Sequence, residues 1–235
     1  RATHEILARV KDRYDVCVLG INFRGDPDGV PDFLKNRIWT AAAGGDEFGV
    51  GRLLWMCKQI QPDVIVIQQD GWWLPYYTKT LRTKKANGEY VYPDFAAIPI
   101  VAAVAVDGKN FRGEWLDNVD LAIFWVQFAL DEARMGGYRG EAVVIPLGVD
   151  LDVYHPMDRV EAQKQLGVEA LGDAFVVGNV NRNQPRKRWD LTIRYFAEWV
   201  RTRGVTDAKL FLHVAPTGDA CVDVLALAEY YGIRE

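Results

Sequence analysis

Short runs rich in Val, Ile and Leu recur along the chain, separated by stretches of helical periodicity, and this alternation leaves few folds open. Such runs are expected of parallel strands packed on both faces. Strands are expected near residues 15–19, 37–40, 63–67, 98–106, 121–125, 142–145, 175–180 and 210–214. Helices are expected at 2–11, 50–60, 126–135, 160–166, 189–201 and 220–231. In the helix that begins at Trp189, the residues Ile193, Phe196, Ala197 and Val200 follow i, i+3, i+4, i+7 spacing, which makes one apolar stripe to lie on a sheet. Strands alternating with helices predict an α/β chain of doubly wound type.

At about 150 residues per domain, 235 residues amount to one full domain and part of another. The boundary is expected between Pro146 and Gly172, where Pro146, Gly148 and Pro156 break up the pattern. We therefore divide the chain into residues 1–150 and 151–235. With 49% apolar and 26% charged residues, disordered, collagenous and coiled-coil readings are excluded. A net charge of -4 gives no general attraction for polyanions, so no nucleic-acid partner is expected and any phosphate site must be local. Cys17, Cys57 and Cys221 form no C-x-x-C pair, and His4, His155 and His213 lack metal-ligand spacing. A reducing, cytoplasmic setting without a metal or disulfide framework is the expectation. No apolar run approaches the roughly 20 residues of a bilayer span.

Ligands of open α/β sheets bind at the carboxyl ends of strands, so those loops are where chemistry is expected. The loop after the 175–180 strand reads Asn181-Arg182-Asn183-Gln184-Pro185-Arg186-Lys187-Arg188 and runs into the Trp189 helix. Four cations at a strand-to-helix turn suit a diphosphate, because helix N-termini attract anions and Arg forms bidentate bonds to phosphate oxygens. Upstream, Ile145-Pro146-Leu147-Gly148-Val149-Asp150 ends a strand and turns, and Tyr154 and Pro156 follow.

This Ile-Pro-x-Gly-Val-Asp segment with its following aromatic and Pro resembles the interdomain signature of family 4 glycosyltransferases. That resemblance implies the GT-B fold: two Rossmann-like domains with mostly parallel sheets, the second incomplete here. In the family an Arg, and a Lys five residues later, follow the first strand of the nucleotide domain and contact the donor diphosphate; Arg182 and Lys187 have this spacing. The order of elements around Asp120, Phe128, Gly137-Tyr138 and the Leu210–Val214 strand is also similar. Three departures stand out. The chain opens at Arg1 after the point where the family's first strand and glycine loop are expected, so we read it as a fragment. No pair of glutamates eight apart, which the family uses on donor sugar and ribose, can be placed. Where the family commonly has Gly after the Lys, this chain has Arg188.

Three further loops carry residues suited to chemistry or to ligand contact. Asp70 and Trp72, in Gln68-Gln69-Asp70-Gly71-Trp72-Trp73, could meet a sugar acceptor, an aromatic face being suited to sugar C–H surfaces, although tryptophans are also common core residues. Asp107 and Lys109, in Val106-Asp107-Gly108-Lys109-Asn110, lie near where related enzymes place a histidine; Asp107 is the candidate catalytic residue and Lys109 a substrate-binding one, with an ordinary Asp-Gly turn as the alternative. Gly49-Val50-Gly51 imitates the start of a dinucleotide fingerprint but lacks its third Gly and follows a long loop through Gly44, so it reads as a cleft-lining loop instead. The resulting expectation is a retaining transferase that uses a nucleoside diphosphate sugar as donor substrate and no cofactor. Its acceptor would be a glycan, a lipid or a small molecule, with peripheral membrane association open. The alternatives are a non-catalytic nucleotide- or glycan-binding protein and a nucleotide-sugar epimerase on the same scaffold.

Overall fold

In the computed structural model, residues 2–21, 23, 25, 30–42, 45–215 and 222–233 are described. Gly44, Cys221 and Ala220, where the last helix was expected to start, lie outside them, as does the side chain of His4. The chain divides into two compact units, Arg1–Val149 and Asp150–Glu235.

The first unit is built on four parallel strands in sequence order: β3 (Ile65–Asp70), β4 (Ile100–Ala105), β5 (Leu121–Phe124) and β6 (Ala142–Val144). Ile65 lies opposite Ile100, Val101 opposite Leu121, and Ala122 opposite Ala142. A separate parallel pair, β1 (Val18–Gly20) with β2 (Ile38–Thr40), leans Leu19 on the same core. Along β4 the side chains alternate, with Ile100, Ala102 and Val104 fully buried and their neighbours half-buried, so the sheet presents one dry face. That face is covered by α2 (Val50–Ile60) through Leu53 and Cys57, by α3 (Leu74–Leu81) through Leu74, Tyr77 and Leu81, and by α5 (Gln127–Met135) through Ala129 and Ala133. Burying each of the larger apolar side chains contributes roughly 1.5–3 kcal/mol. Burial drives the Cys57 thiol up to about 11, so it stays protonated and behaves as a small apolar group.

Helix α3 was not expected from the sequence. Its buried residues Leu74, Tyr77, Thr78 and Leu81 have i, i+3, i+4, i+7 spacing, and Pro75 sits at its start, where a missing N–H costs nothing. The polar end of β3 is a second difference. Gln68, Gln69 and Asp70 continue the strand because their backbones pair in register with Ala103, Val104 and Ala105, whatever their side chains prefer. Asp70 is therefore the last strand residue, not a loop residue.

In the second unit β7 (Phe175–Val180) and β8 (Ala208–His213) form a parallel pair joined through α7 (Trp189–Arg203). Trp189, Ile193 and Val224 are its buried centre, with Leu210 and Leu212 packed on them. Two shorter helices belong to this unit: α6 (Arg159–Leu166), whose N-cap Asp158 accepts from the N–H groups of Val160 and Glu161, and α8 (Val224–Tyr230), capped in the same way by Asp223. The architecture is α/β with parallel, Rossmann-like sheets. Among the described residues no helix is long and apolar enough to cross a membrane.

Candidate active site

Two candidate centres exist, one in each unit. In the first unit, Asp70 ends β3 and Asp107 follows the neighbouring strand β4. Partial burial, together with the charge of Asp107, pushes the Asp70 carboxyl above its ordinary value. The structure thus brings two carboxylates, 37 positions apart in sequence, into mutual range at the carboxyl end of the sheet. Lys109 is exposed on the same loop as Asp107. Trp72, in the 3-10 turn Gly71–Trp73, is 54% exposed and meets Trp115 edge-on at 6.1 Å between ring centres. Its neighbour Trp73 instead stacks on Phe48 at 3.8 Å. The two tryptophans have separate roles, one presenting surface and one packing.

The turn and the loop share a support. A Cβ on Gly71 would come within 2.5 Å of the Phe111 ring and 2.9 Å of Trp115, so only glycine lets these rings slide beneath the Asp70–Trp72 turn. Phe111 is itself the continuation of the loop that carries Asp107 and Lys109. From α5, the Glu132 carboxylate accepts the Asn110 N–H at 3.0 Å, and the Gly136 carbonyl accepts the Gly113 N–H at 2.9 Å. Neither Glu132 nor Phe111 was singled out from the sequence. Glu132 did leave a signal: an acid on the same helical stripe as Ala129 and Ala133, where burial needs a partner.

The glycine loop before α2 is occupied by the chain itself. Asp46 accepts from the N–H groups of Phe48 at 3.1 Å, Gly49 at 2.9 Å and Gly51 at 3.1 Å, and from the Tyr76 hydroxyl at 2.8 Å. Burial alone would raise this carboxyl, yet the bonds from Tyr76, Gly51, Gly49 and Phe48 together hold it below its ordinary value. A carboxylate stands where a dinucleotide phosphate would need free N–H groups, so the Gly49-Val50-Gly51 segment is no dinucleotide site.

In the second unit the loop after β7 is held tightly. The buried Trp189 donates its indole N–H to the Arg182 carbonyl at 2.9 Å. Asn183, only 1% exposed, donates to the Val222 carbonyl at 2.7 Å. The Arg182 side chain is exposed and Lys187 half-buried, while Pro185–Lys187 form a single 3-10 turn. Arg188 adopts φ 48 and ψ 52, the left-handed conformation that glycine favours. Its guanidinium grips Asp190 through Nε at 3.0 Å and Nη2 at 2.7 Å, so Arg188 is committed within its own turn. A groove of about 550 Å³ beside this loop includes Lys187 in a wall otherwise made largely of Phe175, Val177, Leu191, Phe196 and Trp199.

No protein-family profile matches the chain. Over 95 residues, 37% of its length, it is 38% identical to a D-inositol 3-phosphate glycosyltransferase of Geodermatophilus obscurus. The similarity is to a glycosyltransferase. The match spans 21% of that protein's length, about a fifth.

Proposed function

We propose that the protein transfers a sugar from a nucleoside diphosphate donor to a hydroxyl acceptor, with retention at the sugar carbon. The observation that carries this reading is the β7–α7 loop: Arg182 and Lys187, five residues apart, stand on a backbone fixed by Trp189 and Asn183. In the proposed reaction the bond from the sugar C1 to the diphosphate oxygen breaks while a bond to the acceptor oxygen forms; the electron pair leaves with the diphosphate, whose departing oxygen takes up the proton that the acceptor hydroxyl loses. Two cations already in place stabilise that growing charge without having to reorganise, commonly the largest catalytic contribution. They supply the charge a metal would otherwise bring, so the proposal includes no metal and no cofactor. On the acceptor side, Trp72 offers an aromatic face for a sugar ring, Asp107 accepts a hydrogen bond from the attacking hydroxyl, and Asp70 and Lys109 bind neighbouring polar groups.

The test is thermal stability with UDP, GDP and ADP. A nucleotide at 100 times its Kd adds about 2.7 kcal/mol of stability. A shift with one of them that Lys187→Ala and Arg182→Ala each weaken, by about 1–3 kcal/mol in binding energy, supports the donor site and names its base. Identical shifts in wild type and both variants would remove the argument.

A further inference from the structure

We infer that Glu132 is a positioning residue: from α5 it sets the loop that holds Asp107 and Lys109 in the transferase reading on which this inference rests. Glu132 is only 5% exposed and belongs to a different element from the loop it serves. Burying a carboxylate is costly unless it is hydrogen-bonded, and Glu132 accepts the backbone N–H of Asn110 at 3.0 Å. Asn110 has φ 66, a left-handed conformation that Asn tolerates better than most residues with a side chain, and the Glu132 bond falls on the N–H of this turning residue. Past this point the chain cannot adjust freely. A Cβ on Gly136 would lie 1.9 Å from the Phe111 carbonyl oxygen, and Phe111 is wedged under Gly71. Asn110 is thus the hinge between a clamped segment and the exposed residues Asp107, Gly108 and Lys109.

The experiment compares Glu132→Gln, Glu132→Asp and Glu132→Ala in the whole chain by two readouts. One is hydrogen exchange at the Asn110 amide. The other is release of nucleoside diphosphate from UDP-glucose, GDP-mannose and ADP-glucose, with water or D-inositol 3-phosphate as acceptor. Gln can still accept the Asn110 N–H and is expected to behave as wild type within about twofold. Asp, one methylene short, and Ala are expected to speed Asn110 exchange about fivefold or more, the scale of losing one hydrogen bond. The same two variants should lower kcat with donor KM unchanged, since the donor cations stand in the other unit. If Asp and Ala keep both slow exchange and wild-type kcat, the inference is overturned. It is equally overturned if they lower Tm while kcat per folded molecule holds, which would mark Glu132 as structural only. A wild-type protein that turns over no donor would sink the transferase reading. The exchange arm then decides alone, accelerated exchange supporting the hold on the loop and unaccelerated exchange refuting it.

Discussion

Arg188 occupies a backbone conformation that disfavours any residue with a Cβ, and its ion pair with Asp190 is exposed and adds little in water. Arg188→Gly relieves that strain at an N-cap position where glycine is accepted, and is expected to raise Tm by about 2–4 °C, read by calorimetry. The carboxyl of Asp46 lies below its ordinary value of 3.8 in the folded chain. It therefore contributes stability that is present above that pH and is lost as pH falls through the lowered folded value. In Asp46→Asn the acid limb of a stability-versus-pH curve should be flatter below about pH 4; an unchanged limb would show that the loop bonds do not discriminate the charged form. Asp70 behaves in the opposite sense. Asp107→Asn removes one of the two causes that raise it, so its carboxyl resonance should titrate at lower pH in that variant than in wild type.

At the scale of elements, the close approaches around the acceptor-side loops make the sharpest demand. Gly71→Ala pushes into Phe111 and Trp115 side chains and should destabilise by about 1–3 kcal/mol. Gly136→Ala meets the Phe111 backbone oxygen instead, which cannot rotate away, so chemical denaturation should show the larger loss there. Elements with a clear period were legible in the sequence: Ile193, Phe196 and Ala197 of α7 are buried as their spacing required. Helix α3 was written in the same code at Leu74, Tyr77, Thr78 and Leu81, but Pro75 and a threonine on the stripe disguised it. The polar end of β3 was illegible because the ladder that extends it is made of backbone alone. Of the candidate residues, Asp70 at the end of β3, Trp72 just past it, and Asp107 and Lys109 after β4 could be named from their places at or beyond strand ends. Asp46 to Tyr76 and Asn110 to Glu132 could not, since bonds spanning 30 and 22 positions leave no periodic mark.

For the molecule as a whole, the two units differ in how much they bury. The first has a core spanning α2, α3, β4, β5 and α5, whereas the second centres on Trp189, Ile193 and Val224. Local opening follows buried apolar contact, so amides of β7, β8 and α7 should exchange sooner in mild denaturant than those of β4 and β5; protection of equal depth in both units would count against independent cores. The start of α2 is also filled from within the chain, by Asp46. It acts as a ligand attached by a short tether, present at an effective concentration in the millimolar range or above. A free phosphate or sulfate arriving at α2 competes with an occupant that cannot diffuse away. Selectivity at that helix end thus depends on chain connectivity as well as on affinity, since any dissolved anion has to displace a carboxylate that the chain itself keeps in place.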